Sequence, residues 1–186
     1  MKKIILLIIL IIPYLLFSQI QLGSKISGDS PYESFGRALS INNDGTRVAI
    51  GGSHNDIGGE NAGHVRVFEY TNGAWSQLGG DIEGETVNDN SGTSISMNGN
   101  GTIIAIGADS NDGNGRDSGH TRVYQYNNGA WSQLGSDIDG EARDDNSGIS
   151  VSISDDGTTV AIGANENDGN GGNSGHTRIY QYISGA

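Results

Sequence analysis

The chain has no cysteine among its 186 residues. That excludes a disulfide framework, a thiolate nucleophile and any Cys-ligated metal. Proline occurs twice and aromatic residues make up 6%. Positive charge is scarce as well, with 10 Lys+Arg against 22 Asp+Glu and a formal net charge of −12. A protein that grips a phosphate backbone needs clustered Lys and Arg, so nucleic acid is not an expected partner. Hydrophobic residues reach only 34%. Glycine, by contrast, is abundant at 31 residues. Each glycine inside a helix costs about 1 kcal/mol relative to alanine, whereas turns that need positive φ accept it freely. This composition disfavours long helices and points to turn-rich all-β structure.

The one long apolar run is N-terminal. Lys2 and Lys3 precede Ile4–Phe17, and Ser18 offers a small residue at a cleavage point. Residues 1–18 read as a secretory signal peptide, and the run is short for a membrane span, which needs about 20 residues. The sequence therefore predicts a secreted or cell-surface protein with no stable membrane span after signal removal. Removing the two lysines takes the charge from −12 to −12 − 2 = −14.

The rest of the chain, residues 19–186, repeats itself. Trp75-Ser-Gln-Leu-Gly79 returns as Trp131-Ser-Gln-Leu-Gly135, a step of 56. Units 75–130 and 131–186 align without a gap and share 36 of 56 positions, and units 19–74 and 75–130 share 24 of 56. A fixed period of this size signals a repeat architecture. Each unit reads as four short strands. In the third, Ile149, Val151 and Ile153 alternate with serines, the period-2 pattern of a half-buried strand. Asp155-Asp156-Gly157 is a turn. Thr158–Ala164 is an uncharged run suited to a strand covered on both faces. An Asn/Asp/Gly loop, 165–175, leads to a third strand, His176–Tyr182, closed by a turn at Ser184-Gly185. Trp75 and Trp131 open fourth strands running to Ile82 and Ile138, and Ile20–Gly28 reads as a fourth strand without its own first three. Four strands per unit is the pattern of a propeller blade. A closed three-fold β-trefoil or β-prism also has four strands per unit and is the alternative fold.

Ser34-Phe35-Gly36, Asp44-Gly45-Thr46-Arg-Val-Ala-Ile-Gly51, Asp156-Gly-Thr-Thr-Val-Ala-Ile-Gly-Ala164 and the Gly-His-Thr-Arg-Val-Tyr-Gln-Tyr of 119–126 carry a family likeness. Together they resemble the FG-GAP family of β-propeller repeats found in integrin α-chain heads and secreted bacterial proteins. The resemblance implies a partial propeller or a fragment of one, because family rings close with more blades than three. The chain stops at Ala186, where the repeat calls for a tryptophan. The Phe-Gly pair is kept only in the first unit, and Ser91-Gly92 and Ser147-Gly148 stand in the others.

Three constellations could carry chemistry. The first is the Asx-rich loops, in which Ser110, Asp112, Asn114 and Asp117, then Glu166, Asp168, Asn170 and Asn173, place oxygen ligands on glycine-rich turns. Ca²⁺ takes six to eight such ligands. The same residues also suit Asx turns that cap their own backbone. The second is a row of His-x-Arg pairs, His64/Arg66, His120/Arg122 and His176/Arg178. It is expected to be structural, with each Arg paired to an acid of the neighbouring unit. A three-fold closure would instead gather the histidines as a metal site. The third is an aromatic series, Phe68, Tyr70, Trp75, Tyr124, Tyr126, Trp131, Tyr180 and Tyr182, expected as inter-unit core. No nucleophile elbow or phosphate loop is present. The expected role is non-catalytic extracellular binding or adhesion through loops, toward a protein or carbohydrate ligand. The alternatives are a polysaccharide-active enzyme or a structural module that self-associates through open sheet edges.

Overall fold

The structure is a computed structural model that describes residues 18–183. The expected signal peptide, but for Ser18, and the turn at Ser184-Gly185 lie outside the described residues. Every regular element among the described residues is a strand, and none of them forms a helix long and apolar enough to cross a membrane.

The strands fall into three antiparallel sheets that follow the 56-residue period. The first holds β1 (Leu39–Ile41), β2 (Arg47–Gly52), β3 (His64–Thr71), β4 (Ala74–Gln77) and β5 (Ile82–Glu83). The second holds β6 (Ser94–Met97), β7 (Ile103–Ala108), β8 (His120–Asn127), β9 (Ala130–Gln133) and β10 (Ile138–Asp139). The third holds β11 (Ser147–Ile153), β12 (Thr159–Ala164) and β13 (His176–Gln181). Each is one blade, and the three do not close into a ring. The closed three-fold alternative is thereby corrected. The positions that a ring would cover stand open at the two ends: Leu39 and Ile41 are 63% and 55% exposed, and Ile179 is 71% exposed.

The expected fourth strand is broken in two. Phe68 pairs with Gln77 and Val65 with Ile82. Between these pairs β3 advances 68 − 65 = 3 residues and its partner 82 − 77 = 5, so two residues loop out. Gly79 takes a positive φ of 79° there, and Gln77 Nε2 donates to Asp81 Oδ1 at 2.6 Å across the detour. The second blade repeats the detour with Gly135 and a Gln133–Asp137 bond of 2.6 Å. Residues 20–28 form no strand, because no β3-like neighbour lies beside them to complete a ladder. They still take the equivalent place: Leu22 O accepts from Trp75 Nε1 at 2.9 Å, as Leu78 O accepts from Trp131 Nε1 at 2.8 Å.

The core lies between blades. Ala49, Val65, Val67 and Ile82 of the first blade face Ile95, Met97, Ile104, Ile106 and Tyr124 of the second. Ala105, Val123 and Ile138 of the second face Val151, Ile153, Val160, Ile162 and Tyr180 of the third. Trp131 packs against the first of these cores and meets Tyr126 at a tilt of 50°, with ring centroids 5.2 Å apart. Tyr182, at the open end, is exposed.

Backbones approach closely at these contacts. A Cβ on Gly107 would overlap the Gly148 carbonyl oxygen and the Ser94 hydroxyl, whereas one on Gly80 meets nothing within 4 Å. Gly107→Ala is therefore expected to lower the unfolding free energy by about 1–3 kcal/mol through overpacking. Gly80→Ala should stay within about 0.5 kcal/mol of the parent, as surface changes usually do. Urea unfolding of the two variants tests the contrast, and equal stability would refute the close approach.

Candidate functional site

The Asx loops lie between the second and third strands of each blade, and their first task is local. Asn55, Asn111 and Asn167 each accept from the backbone N–H two residues on, at 2.8–2.9 Å. Asp56, Asp112 and Asp168 each accept from the N–H five residues on, at 2.7–2.8 Å. Those receiving positions, Asn61, Asp117 and Asn173, all have φ near +50°, a conformation that Asn and Asp tolerate better than other side-chain-bearing residues. Asn/Asp composition and loop shape are thus one fact.

The segment leaving each of the first two blades is strapped onto that blade's Asx loop. Asn88, Asn90 and Ser91 donate their N–H groups to Glu60, Asn61 and Ala62. Asp144, Asn146 and Ser147 do the same to Arg116, Asp117 and Ser118. A buried acid from the segment entering the blade meets the loop asparagine. Asn55 Nδ2 donates to Glu33 Oε2 at 2.9 Å, and Asn167 Nδ2 to Asp145 Oδ2 at 3.0 Å.

This strapping opens a polar crevice of about 580 Å³ between the second and third loops. Ser110, Asp117, Glu166, Asp168 and Asn173 line it, joined by Arg116, Asp144 and Asn146. Five of the eight expected calcium ligands therefore share one cavity. The other three lie elsewhere. Asp112 lines a separate crevice with Glu85 and Asp137. Asn114 Nδ2 donates to the Gly140 and Glu141 carbonyls at 2.8 and 3.0 Å. Asn170 is exposed, and its N–H donates to Ser174 Oγ at 3.3 Å. Arg116 Nε donates to Asp144 Oδ1 at 3.0 Å and holds that carboxyl below its usual range. Sequence inspection missed Arg116, Asp144 and Asn146. Arg116 and Asp144 are 28 residues apart, half of the period, so aligning units on one another does not juxtapose them. At the inner end of the crevice's first loop, burial raises the Asp109 carboxyl above its usual range.

The His-x-Arg row forms the second polar layer. Arg66 pairs with Asp29, and Arg122 Nη1 lies 3.2 Å from Glu85 Oε1. Arg178 Nη1 lies 3.8 Å from Glu141 Oε1. In each case the acid sits on the segment entering the blade, within the same 56-residue unit as its arginine and not in the neighbouring unit as the sequence led us to expect. Phe35 lies over Arg66, 4.4 Å from guanidinium carbon to ring centroid, and meets His64 edge-on at 6.0 Å. Each histidine faces its own acids. His64 lies 3.8 Å from Glu33 and 3.7 Å from Asp81. His120 lies 3.9 Å from Glu85 and 3.8 Å from Asp137, and His176 lies 3.6 Å from Glu141.

Residues 136–180 match the family model described as the FG-GAP repeat. Over that stretch the chain is similar to an FG-GAP repeat. The match runs from the detour before β10 through β13, taking in the third Asx loop and its His-x-Arg pair. No curated protein matches the chain. Among solved structures, Kuenenia stuttgartiensis hydrazine synthase is similar with a TM-score of 0.42 and 13% identity, over 78% of this chain. The chain spans 32% of the length of that one.

Burial, and then Arg66, lower the pKa of His64 from its ordinary 6.5, against the opposing pull of Glu33, Asp81 and Asp29. Above that value both folded and unfolded chains hold a neutral ring, and the shift contributes nothing. Below it the unfolded chain binds a proton that the folded ring resists, so stability falls with falling pH. Urea melts at descending pH should show a steeper loss below pH 6.5 in the parent than in His64→Gln. Parallel curves would refute the assignment.

Proposed function

We propose that the chain is an extracellular, non-catalytic binding module whose FG-GAP-type blades present Asx loops to a protein or carbohydrate ligand. The observation that carries this is the crevice of about 580 Å³ built by two successive loops and lined by Arg116, Asp117, Asp144, Glu166 and Asp168. Binding residues concentrate on loops held by a rigid scaffold, and here every loop is fixed by its own Asx bonds, the first two also by a strap. FG-GAP repeats are typical of extracellular proteins, which agrees with the export signal expected from the sequence of residues 1–18. Asp117, Asp144, Glu166 and Asp168 offer the hard oxygen donors that Ca²⁺ prefers, and Ca²⁺ bound among them would tie the two loops together.

Two measurements test this proposal. Millimolar Ca²⁺ should raise the melting temperature above that in chelator, as any ligand of the folded state does by mass action. The increment should shrink in Asp117→Asn/Asp168→Asn, and melting curves that do not respond to Ca²⁺ would remove the ion from the proposal. For the binding role, the purified chain is applied to arrays of extracellular polysaccharides and to cell surfaces. Retention that is lost in Arg116→Ala/Asp168→Ala is expected. Release of shortened glycans would replace binding with catalysis.

A further inference from the structure

We propose that Glu85, His120 and Asp137 form a divalent-cation site, suited to Zn²⁺, at the junction of the first and second blades. It is separate from the Asx crevice and does not rest on the binding role proposed above. Nδ1 of His120, a carboxylate oxygen of Glu85 and one of Asp137 all lie within 4.8 Å of one another. Among the described residues no other group of three or more His, Asp or Glu side chains meets that condition.

The imidazole is the fixed donor. Its side chain is 1% exposed, and Nε2 is buried without a hydrogen-bond partner. Nδ1 faces Glu85 Oε2 at 3.9 Å and Asp137 Oδ2 at 3.8 Å. Those distances are too long for hydrogen bonds. They suit donors that share an ion, because ligand atoms about 2.0–2.2 Å from Zn²⁺ stand roughly 3.3–3.6 Å from one another. The two carboxylates are the mobile arms, 41% and 32% exposed, and can close the small remaining gap.

The surroundings complete the site. Arg122 holds Glu85 through Oε1 at 3.2 Å and leaves Oε2 turned to the imidazole. This is the outer support that orients a ligating carboxylate. Asp137 is steered by Gln133, which donates to its other oxygen, Oδ1, at 2.6 Å. A crevice of about 410 Å³ opens beside the cluster, lined in part by Asp112 and Asp139, and admits the ion with a water as further ligand. Imidazole with carboxylate favours Zn²⁺ over Ca²⁺, which prefers oxygen alone. The first blade lacks the arrangement: Asp29, one methylene shorter, replaces Glu85, and the acids nearest His64 face opposite ring nitrogens, Glu33 at Nε2 and Asp81 at Nδ1.

The test uses the chelator-treated chain and Zn²⁺ in calorimetric titration, with Co²⁺ absorption as a second readout. One Zn²⁺ per chain is expected, with visible Co²⁺ bands in the same stoichiometry. Glu85→Gln and Asp137→Asn should each weaken Zn²⁺ at least tenfold while the melting temperature in chelator stays within a few degrees of the parent. His64→Gln should leave binding unchanged, and Ca²⁺ should not compete. Absence of Zn²⁺ binding overturns the proposal. So does binding that survives both carboxylate substitutions, or binding that Asp117→Asn/Asp168→Asn removes instead.

Discussion

The structure depends on the apolar contact between consecutive blades. With 34% hydrophobic residues, no blade can bury both faces of its own sheet, and a repeat that cannot close its core alone must stack. Ile104 and Ile106 are fully buried only because Ala49, Val65 and Val67 stand opposite. The packing is close enough to exclude a β-carbon at Gly51 and Gly107, which meet the carbonyl oxygens of Gly92 and Gly148. Glycine abundance thus has two causes, positive φ in turns such as Gly157 (φ 77°) and backbone contact at the interfaces.

The same stacking explains how exposure changes along the chain. Val67 is 0% exposed where the second blade covers it, and Ile179, the matching position of the third blade, is largely exposed. In the opposite direction, Leu39 and Ile41 are open where Ile95 and Met97 are buried. The side chains are of one kind at every level, and only the presence of a neighbouring blade differs. Burial here belongs to the interface and not to the residue.

Much of the fold was legible in the sequence because period-2 alternation and the 56-residue step report strands and units directly. β11, β12 and β13 fall within a residue or two of the expected ranges. The break in the fourth strand was not legible. Trp75 to Ile82 reads as one run, and the looped-out residues declare themselves only through the pairing of β3 with both β4 and β5. That break matters, because it turns Asp81 and Asp137 toward His64 and His120. A continuous strand would have carried these acids along the ladder.

The candidate sites were legible to the extent that their residues keep the period. The His-x-Arg row was visible, since His64, His120 and His176 occupy one position of the unit, but the acid that meets each Arg comes from the same unit and not from the neighbouring one. The crevice was half visible. Its Asx residues recur, but Asp144 and Asn146 arrive from the strap, which crosses from one unit's linker to an earlier loop. Self-alignment compares equivalent positions and says nothing of contacts between unlike ones. The chemistry of this chain arises at contacts of the second kind, where a linker acid meets a loop or a strand histidine. A repeat can therefore conserve its scaffold from unit to unit while Asp29, Glu85 and Glu141 give each junction a different polar setting.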